Sequence, residues 1–366
     1  MNNKLLATMV VVCLCSTLNM LNAVPAYPGW RTIEQPDGTS IELRLVGDEF
    51  YHYWVNRAGE QMVKNEEGYW EVKSQKAELE SRKSEVESRK SEVESPLALK
   101  SKASPRRRNA VAPRKAPALQ PTKLLVILVN FKDKSMTTAH NNAFFNNMLN
   151  QKGFSPSGCV SEYFKASSDG KYVPQFDVYG PVTLDRKMSY YGANDKDGND
   201  MHPDQMVVDA CAKVYAQGCD FSKYDTDNDG TVDNIYVIYA GYGEAALAPE
   251  NTIWPHSWEI YDDNVTGTLK YNGKKLGQYA CSAELNGNSG TQADGVGTFA
   301  HEFSHVIGMP DYYDTYYGSN YDDEATPGEY SLMDQGSYNN NGQTPPLYSI
   351  FDKYLIGIIA IVIRFD

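Results

Sequence analysis

No apolar run in this 366-residue sequence reaches the ~20 residues that a membrane-spanning helix requires. The runs at 5–15 and 356–363 are both too short, which excludes a stable bilayer span. Cysteine is scarce at six and no C-x-x-C pair occurs, so neither a thiolate zinc ribbon nor a dithiol redox motif is present. Positive charge is short where a nucleic-acid surface would need it. Residues 124–366 hold 15 Lys and Arg against 32 Asp and Glu, a net of −17, which argues against nucleic acid as a partner. Residues 1–123 hold 19 against 15, a net of +4. What is there is a globular composition, 41% hydrophobic with 28 glycines, in a chain long enough for two domains. The acidic excess suits solubility and cation binding.

The chain opens with Lys4, the first apolar run and the small residues of Asn22-Ala23-Val24-Pro25-Ala26, which is the order of a cleavable export signal over 1–26. Beyond it remain Cys159, Cys211, Cys219 and Cys281, enough for two disulfides in three connectivities, or for buried thiols. Residues 27–75 read as a small, mostly β unit. Its turn signals are Gln35-Pro36-Asp37-Gly38 and Arg57-Ala58-Gly59-Glu60, with alternation in Ser40-Ile41-Glu42-Leu43-Arg44-Leu45. Residues 76–122 form a spacer, with a seven-residue repeat at 80–86 and 87–93 followed by a basic, proline-rich linker. One apolar position per heptad is too narrow for a coiled-coil seam, and the linker cannot bury a core. A protease-sensitive junction is therefore expected within 95–123, ahead of a mature domain over 123–366. That domain opens on Leu124-Leu125-Val126-Ile127-Leu128-Val129-Asn130-Phe131, a strand buried on both faces. Strands at 175–184 and 235–240 and helices near 159–167 and 204–216 indicate an α/β or α+β class.

The chemistry concentrates in Thr298-Phe299-Ala300-His301-Glu302-Phe303-Ser304-His305-Val306-Ile307-Gly308-Met309-Pro310-Asp311. His301 and His305, four apart, project from one helix face, while Phe299, Phe303, Val306 and Ile307 anchor the other. Two imidazoles on adjacent turns suit a tetrahedral zinc site, and Glu302 between them is placed to take a proton from water. Gly308 can cap the helix in the left-handed conformation and Pro310 cannot continue it, so the chain can turn and return Asp311 as a third ligand.

The pattern H-E-x-x-H-x-x-G-x-x-D resembles the metzincin metallopeptidases, whose third ligand is usually His and in some branches Asp. Gly308-Met309-Pro310-Asp311-Tyr312-Tyr313-Asp314, Trp254-Pro255-His256-Ser257-Trp258 and Asp225-Thr226-Asp227-Asn228-Asp229-Gly230-Thr231-Val232-Asp233 are similar to the immune inhibitor A-like secreted bacterial peptidases. The resemblance covers roughly 122–355. It implies an α+β, metzincin-like zincin domain, with a mixed β-sheet and active-site helix above a more irregular lower part and a cleft between them. The β unit before it would be the propeptide domain. It also implies a Met-containing turn beneath the metal, which Tyr330-Ser331-Leu332-Met333-Asp334-Gln335-Gly336 supplies through Met333. Gln335 stands where some metzincins carry Tyr, which leaves Tyr313 and Tyr338 as candidates for the cleft. Family members commonly continue into further β-domains, so a C-terminal truncation is expected here.

The leading expectation is a secreted bacterial zinc endopeptidase, made as a precursor and acting on proteins or peptides as a monomer. Zinc polarises the scissile carbonyl, and Glu302 serves first as general base and then as general acid. The competing expectation is a catalytically silent adhesin or binding protein on the same scaffold. Asp225, Asp227, Asp229, Thr231 and Asp233 follow the spacing of a calcium loop, although Tyr236 replaces the closing Glu and a strand follows. A structural Ca²⁺ is expected there, against an Asp-rich turn. The turn at 194–200 is a weaker acidic candidate. His256, between two tryptophans, lines the cleft or packs in the core. The leader contains no cysteine, so its hold on the site would need a carboxylate, a main-chain group or steric cover. Segment 345–355 reads as a helix, and 356–366 as a strand without a partner.

Overall fold

The structure is a computed structural model that describes residues 22–49, 51–73, 123–196, 198–262, 264–313 and 326–358. The heptad repeat, the basic linker with its expected junction, most of the export signal and the tail from 359 lie outside the described residues. The short strand β1 (Asn22–Ala23) comes first. A five-stranded antiparallel meander follows: β2 (Arg31–Glu34), β3 (Ser40–Gly47), β4 (His52–Val55), β5 (Gln61–Lys64) and β6 (Trp70–Val72). Its first turn closes with Gly38 at φ 84°, a value that favours glycine, and the Gly38 N–H donates to Gln35 O over 2.9 Å. These five strands run from Arg31 to Val72, within the stretch read from sequence as a small, mostly β unit.

The larger sheet has six strands. β7 (Lys123–Asn130) lies between β8 (Gln175–Thr183) and β9 (Ile235–Tyr242), both parallel to it. β13 (Gln278–Leu285) extends the parallel set beyond β9, and β10 (His256–Glu259) pairs antiparallel with β13. β1 then pairs antiparallel with β10, so the start of the described chain forms the outer edge of the sheet. A small ladder of β11 (Lys270–Tyr271) and β12 (Lys274–Lys275) stands apart from it.

The period of two explains how β7 serves two cores. Leu125, Ile127 and Val129 face one, while Leu124, Val126 and Leu128 face the other. The first core is roofed by α4 (Pro203–Ala216), which begins on Pro203, where a missing N–H costs nothing, and follows the short α3 (Met188–Gly192). The second is covered by α1 (Asn142–Asn150), α2 (Val160–Ser167) and α5 (Val296–Val306). Asn141 caps α1, and Cys159 with Glu162 forms a capping box on α2.

The structure decides the open cysteine reading and changes two others. All four described cysteines are buried free thiols, so neither disulfide forms; each behaves as a small apolar side chain within a core or at a helix start. The helix expected over 345–355 begins later, as α6 (Ile350–Leu355) behind Ser349. Beyond it Ile356 and Ile358 turn into the second core, so the tail is not an unpartnered strand over those residues.

Candidate metal centre

The ligand helix is fixed from behind by aromatic packing. Phe299 stacks on Tyr236 with centroids 3.8 Å apart and meets Phe176 edge-on, and Phe303 meets Phe164 and Phe176 edge-on. The helix ends in a Schellman motif. Gly308 takes φ 99°, its N–H donates to His305 O over 2.9 Å, and the Met309 N–H donates to Ser304 O over 3.0 Å. That reversal returns Asp311 to the histidines.

Each imidazole is oriented through its other nitrogen. His301 Nδ1 donates to Leu332 O and His305 Nδ1 to Met309 O, both over 2.7 Å. A carbonyl can only accept, so the proton of each neutral ring sits on Nδ1 and the Nε2 lone pairs point inwards. Burial lowers the His305 pKa, which keeps that ring neutral. The two Nε2 atoms are 3.1 Å apart, and Asp311 Oδ1 lies 3.2 Å from one and 3.3 Å from the other. A tetrahedral zinc with bonds of ~2.0–2.1 Å holds its ligands about 3.3–3.4 Å apart, so this triangle fits the ion. Both Asp311 oxygens are buried without a hydrogen-bond donor. Three inward lone pairs with no proton among them call for a cation.

Glu302, on the same helix, is wholly buried. Its Oε1 accepts the Val24 N–H over 2.9 Å and its Oε2 has no donor. Burial, and then the Asp311 charge, push its pKa well above the usual carboxylate range. Met333 is buried in the core under α5, Leu332 O orients His301, and Met333 O accepts the Tyr312 N–H over 2.9 Å.

The first segment and the β-meander cover this centre. Trp254 Nε1 donates to Val24 O over 2.9 Å, and the Tyr338 hydroxyl donates to Pro25 O over 2.7 Å. The Ala26 N–H donates to Gly47 O and the Tyr27 N–H to Ala245 O, both over 2.8 Å. Val24, Ala26 and Leu45 share an apolar cluster with Ala245, Leu247 and Trp254. Residues 22–26, assigned from sequence to the export signal, thus sit in the cleft. The hairpin between β3 and β4 brings His52 onto Trp254, with ring centroids 5.0 Å apart, and 3.6 Å from Glu244. The same hairpin carries Glu49, buried with neither oxygen accepting a hydrogen bond. Burial, then the charges of Asp48, Glu302 and Asp311, push its pKa well up.

Other sequence candidates fall into place unevenly. His256 turns into the core: Nδ1 meets Trp254 O at 2.7 Å and Nε2 meets the Tyr279 hydroxyl at 2.8 Å, so only its backbone belongs to the cleft edge. Tyr338 reaches the cleft, on Pro25, whereas Tyr313 is half-buried just past Asp311. Asp225, Asp227 and Asp229 converge closely enough to share an ion. Asp233 does not join them, because its carboxylate accepts from the Thr226 N–H and hydroxyl, and Thr231 contributes a backbone N–H to Asp229 Oδ1. Lys274 Nζ already stands 2.6 Å from Asp225 Oδ2. Sequence reasoning missed Val24, Glu49 and His52; no local spacing marks them, since their roles arise from contacts with residues some 200 positions away or more.

His301 and His305 on one helix and Asp311 just beyond its end lie close enough to share one metal ion, with Glu302 beside them on the same helix. Residues 114–354 match the family described as Immune inhibitor A peptidase M6, catalytic domain, and the chain belongs to that family. It is 26% identical over 238 residues to Immune inhibitor A of Bacillus thuringiensis subsp. alesti, covering 56% of this chain and 33% of that protein. It is 24% identical over 276 residues to the pre-pro-metalloprotease PrtV of Vibrio cholerae serotype O1 (strain M66-2), covering 64% and 29%. The chain thus spans about a third of the length of the curated relatives it matches. Metalloproteinase-II from Bacteroides fragilis aligns at 11% identity over 89% of this chain and 85% of that one, with a TM-score of 0.30.

Proposed function

We propose that the chain is a zinc-dependent endopeptidase, exported from a bacterial cell as a monomeric precursor, in which the first segment and β-meander act as a propeptide over the catalytic domain. The observation that carries the reading is the triangle of His301 Nε2, His305 Nε2 and Asp311 Oδ1, with no proton to relieve it. These three residues would hold the metal. When bound, zinc supplies Lewis acidity, which lowers the pKa of water and polarises a carbonyl. Leu332 O and Met309 O keep both rings in the ligating tautomer. Glu302 accepts the proton of the attacking water and delivers it to the leaving nitrogen, with its buried, donor-free Oε2 available for the exchange. Trp254 and Tyr338 orient the bound backbone through its carbonyls.

The Asp225, Asp227 and Asp229 cluster is offered as a structural calcium site, in competition with Lys274. No observation favours the silent adhesin, which has no need of a general base. The test is casein digestion after opening of the linker, with a chelator, with zinc restored, and with Glu302→Gln. Zinc-restored digestion by the native protein alone supports the proposal, and undiminished turnover by the variant sinks it.

A further inference from the structure

Glu302 must face the nitrogen that leaves as an amine, because that atom receives the proton when the C–N bond breaks and water adds hydroxyl to the acyl carbon. In this structure the nitrogen at Glu302 Oε1, 2.9 Å away, is that of Val24. The residues before it pair antiparallel with the edge strand β10, Ala23 opposite His256 and Asn22 opposite Ser257. Val24's own carbonyl accepts from Trp254 Nε1, and that of the next residue, Pro25, from the Tyr338 hydroxyl. We propose that the Ala23–Val24 amide lies in the register of a scissile bond, so that the place of Val24 is the subsite for the residue supplying the leaving nitrogen, and that this subsite selects a valine-sized aliphatic side chain. The inference rests on the peptidase reading above and assigns its specificity.

The size limit follows from closure. Val24 has 0% exposure, and the catalytic domain's share of its cluster is Ala245, Leu247 and Trp254, each itself buried. An aromatic side chain would have to displace one of them, and a lysine would bury its charge against apolar walls without a partner. The next position tolerates proline, since Pro25 is gripped by its carbonyl and has no N–H to leave unpaired. Specificity of this kind rests on pocket volume, where a methylene is worth about 10–200-fold.

The experiment uses the full zinc-loaded chain, nicked by trypsin in the basic linker, with fluorogenic peptides Asn-Ala-X-Pro-Ala-Tyr in excess. Cleavage before X is expected, with kcat/KM for Val exceeding Phe and Lys by about tenfold or more. Leu247→Gly should lower the Val-over-Phe ratio, and its backbone at φ 70° accommodates glycine. Ala245→Leu, which fills the pocket instead, should shift preference from Val towards Ala. Cleavage at another bond, a Val-over-Phe ratio of one or less, or a ratio moved by neither variant overturns the register and leaves the peptidase reading standing. Hydrolysis of none of the peptides overturns both.

Discussion

His301 Nε2 and His305 Nε2 face each other across 3.1 Å, each with its proton committed to a backbone carbonyl on the far side of the ring. Such an arrangement is repulsive alone and favourable around a cation. Zinc should therefore stabilise the fold in proportion to occupancy. At a free concentration a thousandfold above Kd the gain is about 4 kcal/mol, or about 8–16 °C in Tm for a domain of this size. Thermal melts with chelator and with zinc check this, and His305→Ala should erase the response.

Gly308 carries the reversal that returns Asp311. Gly308→Ala forces a Cβ into the left-handed region at φ 99° and should cost about 1–2 kcal/mol. Because the strain falls between His305 and Asp311, two of the three residues proposed to hold zinc, zinc affinity should drop with stability. Competition against a chelating dye separates this from a surface change, which would leave affinity alone.

Lys274 acts as a resident cation for Asp225 at 2.6 Å. In Lys274→Gln, the carboxylates of Asp225, Asp227 and Asp229 lose that partner, so the calcium-free protein should melt lower. Added calcium should restore it by a larger increment than in the native chain. Equal calcium shifts in both proteins would remove the competition.

Burial pushes Glu244 up to about 8 from its ordinary value of 4.5, despite the hydrogen bond from Asn194. A raised carboxyl favours folding while protonated. Its contribution is complete below about pH 4.5 and lost as pH rises through about 8. His52 beside it has a lowered pKa from burial and acts in the opposite direction, favouring folding above about 6.5. Glu244→Gln should thus flatten the decline in Tm between about pH 4.5 and 8, leaving the His52 rise exposed. Matched melts across that window measure the difference.

The ligand helix was legible because its information is local. His301, Glu302, His305, Gly308 and Asp311 lie within eleven positions, and the helix period and one left-handed residue nearly determine their geometry. β7 was legible for the same reason, as a run apolar on both faces. The Asp225 loop was legible only in part: spacing brought three carboxylates together but could not foresee that Thr226 would take Asp233. The cover over the site was not legible. Val24 reaches Glu302 through a main-chain N–H, which every residue except proline has, and Glu49 is one acid among many until the fold buries it. His256 reads equally as cleft or core in sequence, and only the Tyr279 hydroxyl decides.

β10 owes its outer neighbour to two residues, Asn22 and Ala23. Once they depart, main-chain donors and acceptors at His256 and Ser257 become an open border, and such borders invite other chains to pair with them. On the propeptide reading proposed above, the first segment would also keep newly made molecules from joining one another border to border. Premature loss of that segment should appear as reduced solubility before it appears as unwanted digestion.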